Sequence, residues 1–204
     1  ILCMGGGVSV AHGMAKAGEE KKVVGMVGDS TFFHSGITGL LDVAVNKSNV
    51  VIVIVDNRTT AMTGHQDHPG TGRTLMGDAT VAVSIEEVVK ACGISRCRIV
   101  DPYNIAETVA AFKEELESPE PSVIISRAPC LLAEKKTLGK PFQVKVEKCK
   151  KCSACLKIGC PALEAIDKQP FVNPDACVGC GICKQMCKFD AIYRDELEKE
   201  RALT

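Results

Sequence analysis

Eight cysteines near the carboxyl end of this 204-residue chain carry its strongest chemical signal. Cys149, Cys152 and Cys155 form one CxxCxxC run followed by Cys160-Pro161; Cys177, Cys180 and Cys183 form a second, followed by Cys187. Three thiolates on one tight loop converge on a single iron-sulfur cubane, and each run has a further cysteine nearby to supply a fourth thiolate. Structural zinc also uses CxxC pairs, but it has no need of a third cysteine at the next step, twice over. The stretches EKCKKCSACLKIGCPALEAI and DACVGCGICKQMCKFDAI align cysteine for cysteine, with one additional residue before the fourth in the first copy. Such a duplication implies two equivalent sites. Lys148, Lys150, Lys151, Lys157, Lys184 and Lys188 surround the runs; cations near cluster sulfurs raise the reduction potential and would also suit an acidic soluble electron acceptor.

A second constellation lies earlier. Gly28-Asp29-Ser30 follows the apolar run KVVGMV, and Asp56-Asn57 follows VVIVIV. If those runs are adjacent parallel strands joined by a right-handed helical crossover, Asp29 and Asn57 meet at their carboxyl ends. One carboxylate, one amide oxygen and a main-chain carbonyl suit a magnesium ion that completes its octahedron with phosphate oxygens and water. A helix starting after Ser30 offers its amino end to phosphate. The same residues would serve equally as a helix cap and a chain turn. His34, His65 and His68 fall in or beside this region, and His65 and His68 are candidate catalytic residues that could orient a substrate carboxylate or shuttle a proton. Cys3, Cys92, Cys97 and Cys130 lack ligand spacing and read as small core residues. The Gly5-Gly6-Gly7 run precedes a helical stretch and could approach a cofactor closely, though a lone glycine cluster points to that no better than to a tight turn.

These residues need a frame. Over the first 130 residues short β-rich runs alternate with helical stretches, the pattern of parallel βαβ units. Strands are expected at Val23 to Val27, Val50 to Val55, Arg98 to Asp101 and Ser122 to Ser126, with a weaker one at Ile1 to Met4. Helices are expected at Val8 to Ala17, roughly Ser35 to Asn46, Ser84 to Cys92 and Asn104 to Glu117, with Gly18 and Gly93 as stops. Arg58 to Thr80 is polar, Gly-rich and without period, and loops of that length are functional or disordered. The fold class is therefore α/β: a parallel-sheet domain over 1–130, a Lys-rich linker over 131–144, a small α+β cysteine domain over 145–193 and a charged tail over 194–204. With 46% hydrophobic residues the chain can bury a core. Its 25 basic and 25 acidic residues cancel, so no global field favours nucleic acid or a membrane surface. It opens on neither a charged signal start nor a span of about 20 apolar residues, so it reads as a cytoplasmic fragment or processed chain with reduced cysteines.

Gly28-Asp29-Ser30 followed by DNRTTAMTG resembles the GDG…N motif of thiamine diphosphate enzymes, in the variant of the 2-oxoacid:ferredoxin oxidoreductases. GDSTFFHSGITGLLDVAVNK, DNRTTAMTGHQDHPGTG, IEEVVKACG and IVDPYN, together with the cysteine runs, are similar to the carboxyl-terminal part of the alpha subunit in the indolepyruvate branch of that family, across residues 1 to 193. The resemblance implies that Asp29, Asn57 and the carbonyl of Thr59 hold Mg2+ on thiamine diphosphate, and that Gly28, Ser30, Met62, Thr63 and Gly64 line the cofactor. Ser30 replaces the more general Gly, as in this subfamily. By the crossed pattern of two-cluster bacterial ferredoxins, one 4Fe-4S cluster falls to Cys149, Cys152, Cys155 and Cys187 and the other to Cys160, Cys177, Cys180 and Cys183. This chain departs from that pattern in having four residues before Cys160 and Lys188 after the last cysteine. The implied activity is oxidative decarboxylation of an arylpyruvate, with two electrons leaving singly through the clusters to soluble ferredoxin and coenzyme A collecting the acyl group. The activating glutamate sits in this family on an amino-terminal pyrimidine-binding part, so that part and a beta subunit are the implied partners and the chain alone is expected to be inactive. The competing readings are a non-oxidative decarboxylase, which has no electrons to export, an electron-transfer module on a non-catalytic α/β scaffold, and an enzyme for another 2-oxoacid.

Overall fold

In a computed structural model, in which residues 3–194 are described, the chain divides after Glu134 into two units. The first begins with α1 (Gly6–Lys16) and β1 (Val23–Gly28). The next helix starts at the residue after β1: α2 (Asp29–Thr31) runs through a π-turn at Phe32–Gly36 into α3 (Ile37–Val45). There follow β2 (Val50–Asp56), α4 (Ile85–Ala91), β3 (Arg96–Val100), α5 (Ile105–Glu117), β4 (Ser122–Arg127) and α6 (Leu131–Glu134). Ser84 caps α4 by accepting from the Glu87 N–H at 3.2 Å, and Asn104 caps α5 by accepting from the Glu107 N–H at 3.2 Å; each such cap is worth about 1 kcal/mol.

The four strands are all parallel in the order β1-β2-β4-β3. β2 and β4 are central, so VVIVI and VII are continuous apolar runs buried on both faces. One face carries the larger core, where Val8, Phe32, Leu40, Val43 and Val89 of the helical side pack on Ile52, Ile54, Val123 and Ile125. The opposite face holds Val51, Val53, Val100, Ile124 and Ala111 of α5. The amino end of α1 lies backbone against backbone on β1: a Cβ on Gly7 would stand 2.7 Å from the Met26 carbonyl oxygen, and one on Gly25 2.8 Å from that of Gly7. The Gly5-Gly6-Gly7 run is thus required for close approach as well as for the turn, with Gly5 left-handed at φ 83°.

Three expectations are corrected here. The helix expected from about Ser35 begins six residues earlier, at Asp29, because Gly28 stays extended and lets the strand pass straight into the helical turn. The weak strand at Ile1 to Met4 lies partly outside the described residues, and Cys3 and Met4 form none. Cys92 is core and Cys97 packs on it, but Cys3 is exposed and Cys130 half-exposed.

In the second unit β5 (Gln143–Val144) pairs antiparallel with β8 (Ile192–Tyr193), and β6 (Leu163–Ile166) with β7 (Gln169–Val172). α7 (Ile182–Met186) carries Cys183 and a tight turn at Cys155–Ile158 carries Cys155. Residues read as linker belong to this unit: Phe142 is core beside Leu163 and Ile192, and the Leu138 N–H donates to the Val178 carbonyl at 2.8 Å. Residues 195–204 of the charged tail lie outside the described residues. Among the described residues no helix is long and apolar enough to cross a membrane.

Candidate cofactor and cluster sites

The pairing of β1 with β2 sets Gly28 opposite Val55, so the residues that follow each strand emerge side by side. Asp29 there is 3% exposed. Its Oδ1 accepts from the Ser30 N–H at 2.7 Å, and its Oδ2 accepts from the Arg58 N–H at 2.8 Å and from His68 Nε2 at 3.1 Å. Arg58 adopts left-handed backbone at φ 62°, an uncommon conformation for a residue with a side chain. It aims its N–H at both Asp29 and Asp56. Burial pushes the Asp29 carboxyl up, but the hydrogen bonds from His68 and the Ser30 amide outweigh it and hold the group below its ordinary value. A carboxylate stays charged at the mouth of the sheet.

A hollow of about 420 Å³ opens beside it, walled by Gly28, Asp29, Ser30, Asn57, Thr59, Thr60 and Met62 together with Met4, Gly5 and Met26. Thr60 Oγ1 donates to Ser30 Oγ at 2.8 Å, and Asn57 Oδ1 accepts from the Thr59 N–H at 3.1 Å. The oxygen donors Asp29, Asn57 and Thr59 therefore share one cavity with the start of a helix, and this sparse, hard set fits a magnesium-bound diphosphate. Thr63 and Gly64 are absent from the wall. The Thr63 side chain pairs with Gln66, and Gly64 turns the chain at φ 114°.

The histidines differ in their surroundings. His68 is buried at 8% exposure. Its Nδ1 accepts from the Gly70 N–H at 3.1 Å, which leaves Nε2 as the protonated nitrogen that donates to Asp29. Phe33, presented by the π-turn, packs on the ring at 5.7 Å. Both ring nitrogens are thus committed, Nδ1 to the Gly70 amide and Nε2 to Asp29. His65 is exposed, left-handed at φ 64°, and 3.7 Å from Cys130 Sγ; the Cys130 N–H in turn donates to the Asn57 carbonyl at 2.9 Å. His34 is exposed on the π-turn.

Sequence reasoning passed over a charged network below this site. Asp56 is 1% exposed. It is paired with Arg127 Nε at 2.6 Å and Arg58 Nε at 3.4 Å, and Arg127 holds Glu86 through two bonds of 2.7 and 2.9 Å. The Arg127 guanidinium pulls the Glu86 carboxyl down to about 2.

The cysteines of the second unit sort into two sets. Cys160, Cys177, Cys180 and Cys183 line a hollow of about 360 Å³ with apolar walls that include Phe142, Leu163 and Val172. Cys149, Cys152, Cys155 and Cys187 line a smaller one of about 20 Å³ with Lys150 and Met186. Burial pushes the Cys183 thiol up to about 11, with Cys180, Cys177 and Cys160 adding to it. Burial likewise raises Cys155, with contributions from Cys187, Cys149 and Cys152. Each buried thiol feels the other three of its own hollow. The thiols line the walls without closing on a point: among the described residues no three His, Cys, Asp or Glu side chains form a ready metal site. Soft thiolates, four to a hollow, nonetheless match the donor chemistry of a 4Fe-4S cluster.

Comparison with known proteins agrees with this division. Residues 1–126 match the family described as thiamine pyrophosphate enzyme, C-terminal TPP binding domain, and residues 170–193 match a 4Fe-4S binding domain. The indolepyruvate oxidoreductase subunit IorA of Methanothermobacter marburgensis is 42% identical over 94% of this chain, which covers 31% of that protein. The IorA subunit of Pyrococcus horikoshii is 42% identical over 95% of the chain, covering 33% of that protein. The chain thus spans about a third of the length of these relatives. A solved 2-oxoglutarate:ferredoxin oxidoreductase from Magnetococcus marinus shares the fold over 62% of this chain and 45% of its own, with a TM-score of 0.56 at 19% identity. Along almost all of its length the chain is similar to the IorA subunits, and with a family model covering residues 1–126 it belongs to the thiamine pyrophosphate enzymes.

Proposed function

We propose that this chain is the diphosphate-binding half-site and electron wire of an enzyme that oxidatively decarboxylates arylpyruvates, indolepyruvate among them, to aryl-acetyl-CoA. The observation that carries the reading is that one chain joins a thiamine pyrophosphate-binding domain, with Asp29, Asn57 and Thr59 on one cavity, to a unit whose eight cysteines line two hollows, four to each. A decarboxylase that exports no electrons has no use for the second unit. Asp29, Asn57 and the Thr59 carbonyl would hold Mg2+ on the diphosphate, with Gly28, Ser30 and Met62 along the cofactor. His68 holds the Asp29 carboxylate in place and charged. Thiamine diphosphate, when bound, supplies the electron sink for loss of carbon dioxide. The thiolates of Cys149, Cys152, Cys155 and Cys187, and of Cys160, Cys177, Cys180 and Cys183, would hold the two clusters that carry electrons away singly. The remaining two thirds of the relatives' length supports an amino-terminal pyrimidine-binding part, and their being named as subunits supports a beta subunit as partner; ferredoxin would be the acceptor and coenzyme A the co-substrate.

The test uses the assembled protein with both subunits. Indolepyruvate or phenylpyruvate should reduce ferredoxin only when coenzyme A is present, and faster than pyruvate or 2-oxoglutarate does. Carbon dioxide release without acceptor reduction would contradict the oxidative reading, and preference for pyruvate or 2-oxoglutarate would contradict the substrate class.

A further inference from the structure

The two sets of cysteines differ in exposure. In the set Cys160, Cys177, Cys180 and Cys183 no cysteine is exposed, and Phe142, Leu163 and Val172 line its hollow. In the other set Cys152 is exposed, Cys149 and Cys187 are half-buried and Cys155 is buried. The second set thus has one ligand residue that is exposed, and the first has none.

Charge follows the same asymmetry. Lys148, Lys150 and Lys151 flank Cys149 and Cys152 in the sequence Lys-Cys-Lys-Lys-Cys, and all three are exposed. The backbone is left-handed at Lys151 (φ 51°) and Ser153 (φ 58°), so the loop folds tightly around the ligand positions. Lys148 has Asp190 at 3.9 Å, whereas Lys150 and Lys151 have no acidic partner within 4 Å among the described residues, and Lys150 itself borders the hollow. Lysines left without counter-charge beside an exposed ligand make a local positive rim on a chain that is neutral overall. Such a rim attracts an acidic protein, sets its orientation and raises the rate of encounter by roughly 10- to 1,000-fold at low salt.

We propose that electrons leave this chain at the site of Cys149, Cys152, Cys155 and Cys187, and that Lys150 and Lys151 are the docking rim for a small acidic one-electron carrier protein. At each encounter the cluster is oxidised by one electron and the carrier reduced by one; no bond is made or broken and no proton moves. The inference rests on the two-cluster reading above, and its test keeps the two apart.

The assembled protein is reconstituted anaerobically, and its iron content and the EPR signal of the reduced form are measured before any carrier is added. Absence of reduced cubanes at that stage overturns the two-cluster reading and this inference with it. With clusters present, the pre-reduced protein is mixed in stopped flow with an oxidised, strongly acidic 2Fe-2S ferredoxin across a range of salt, and binding is followed by calorimetry. The double variant K150E/K151E should lower the second-order rate at low salt by roughly tenfold and weaken binding in parallel, with the gap closing at high salt. K184E, on α7 next to Cys183, should leave both near the wild-type values. Should K150E/K151E take up less iron, K150Q/K151Q replaces it, with a smaller loss in the same direction. Wild-type rate and binding in the Lys150 and Lys151 variants, or a loss in K184E instead, would overturn the proposal.

Discussion

Asp29 is held by three donors from three places: the Ser30 amide next to it, the Arg58 amide after β2, and His68 Nε2 in the long loop. The first two are legible in the sequence, since Gly-Asp-Ser and Asp-Asn-Arg each end an apolar run and adjacent strands bring such ends together. The third is not, because the ring lies 39 residues away in a stretch without period, and its tautomer is fixed by a further contact, the Gly70 amide. This changes what a histidine substitution should do. Removing a partner that orients a metal-binding carboxylate costs about 10- to 100-fold in affinity. His68→Ala should therefore weaken magnesium-dependent thiamine diphosphate binding by that factor in equilibrium titrations, while His65→Ala should leave binding unchanged. Equal affinity in His68→Ala and wild type would remove His68 from the positioning role. Cys130 shows the same limit of sequence reading: a lone cysteine without ligand spacing looks like core, yet the end of β4 brings it beside His65 and ties its amide to Asn57.

Strand order explains most of what the elements hide. β2 and β4 are neighbours although β3 lies between them in the chain, so Asp56 at the end of one meets Arg127 at the end of the other, and Arg127 reaches Glu86 in the first turn of α4. Alternation of apolar runs reveals that the strands exist and are parallel, but not this adjacency, and hence not the network under the site. The π-turn at Phe32–Gly36 is equally invisible to a 3.6-residue period; it turns Phe33 onto His68 and is where the expected and observed helix starts part company. The network has a pH signature. The Glu86 carboxyl falls from an ordinary 4.5 to about 2 in the folded chain, so between those values the unfolded chain binds more protons and stability rises with pH. About a third of that side chain is open to solvent (34%), so the pair is worth only about 1 kcal/mol at neutral pH. Glu86→Gln should lose about that much in urea denaturation at pH 7. The difference should be fully present above 4.5 and shrink as pH falls toward about 2. A deficit that does not change across that window would mean that Glu86 acts through packing and not through its charge.

At the scale of the whole molecule, two chemistries occupy two units. The first is a parallel sheet that gathers oxygen donors at its carboxyl edge, and the second a small cysteine unit built on a duplicated run. The division was legible because composition changes sharply along the chain, with eight of the twelve cysteines between Cys149 and Cys187. Its exact place was less so. The Lys-rich stretch read as linker carries Phe142 into the core of the second unit, and a Cβ on Gly179 would stand 2.4 Å from the Gly139 carbonyl oxygen, so this strap lies directly on the loop between Cys177 and Cys180. Glycine composition signals a turn but does not say which backbone will press against it. The same duplication makes the central claim countable, because two four-thiolate sets hold a fixed amount of iron and one set holds half of it. Anaerobic iron and labile-sulfide analysis of the purified protein, with EPR of the dithionite-reduced form, should give about eight irons and about eight sulfides per chain with a reduced cubane signal. Zinc in place of iron, or about four irons per chain, would contradict the account of a thiamine diphosphate site joined to a two-cluster wire.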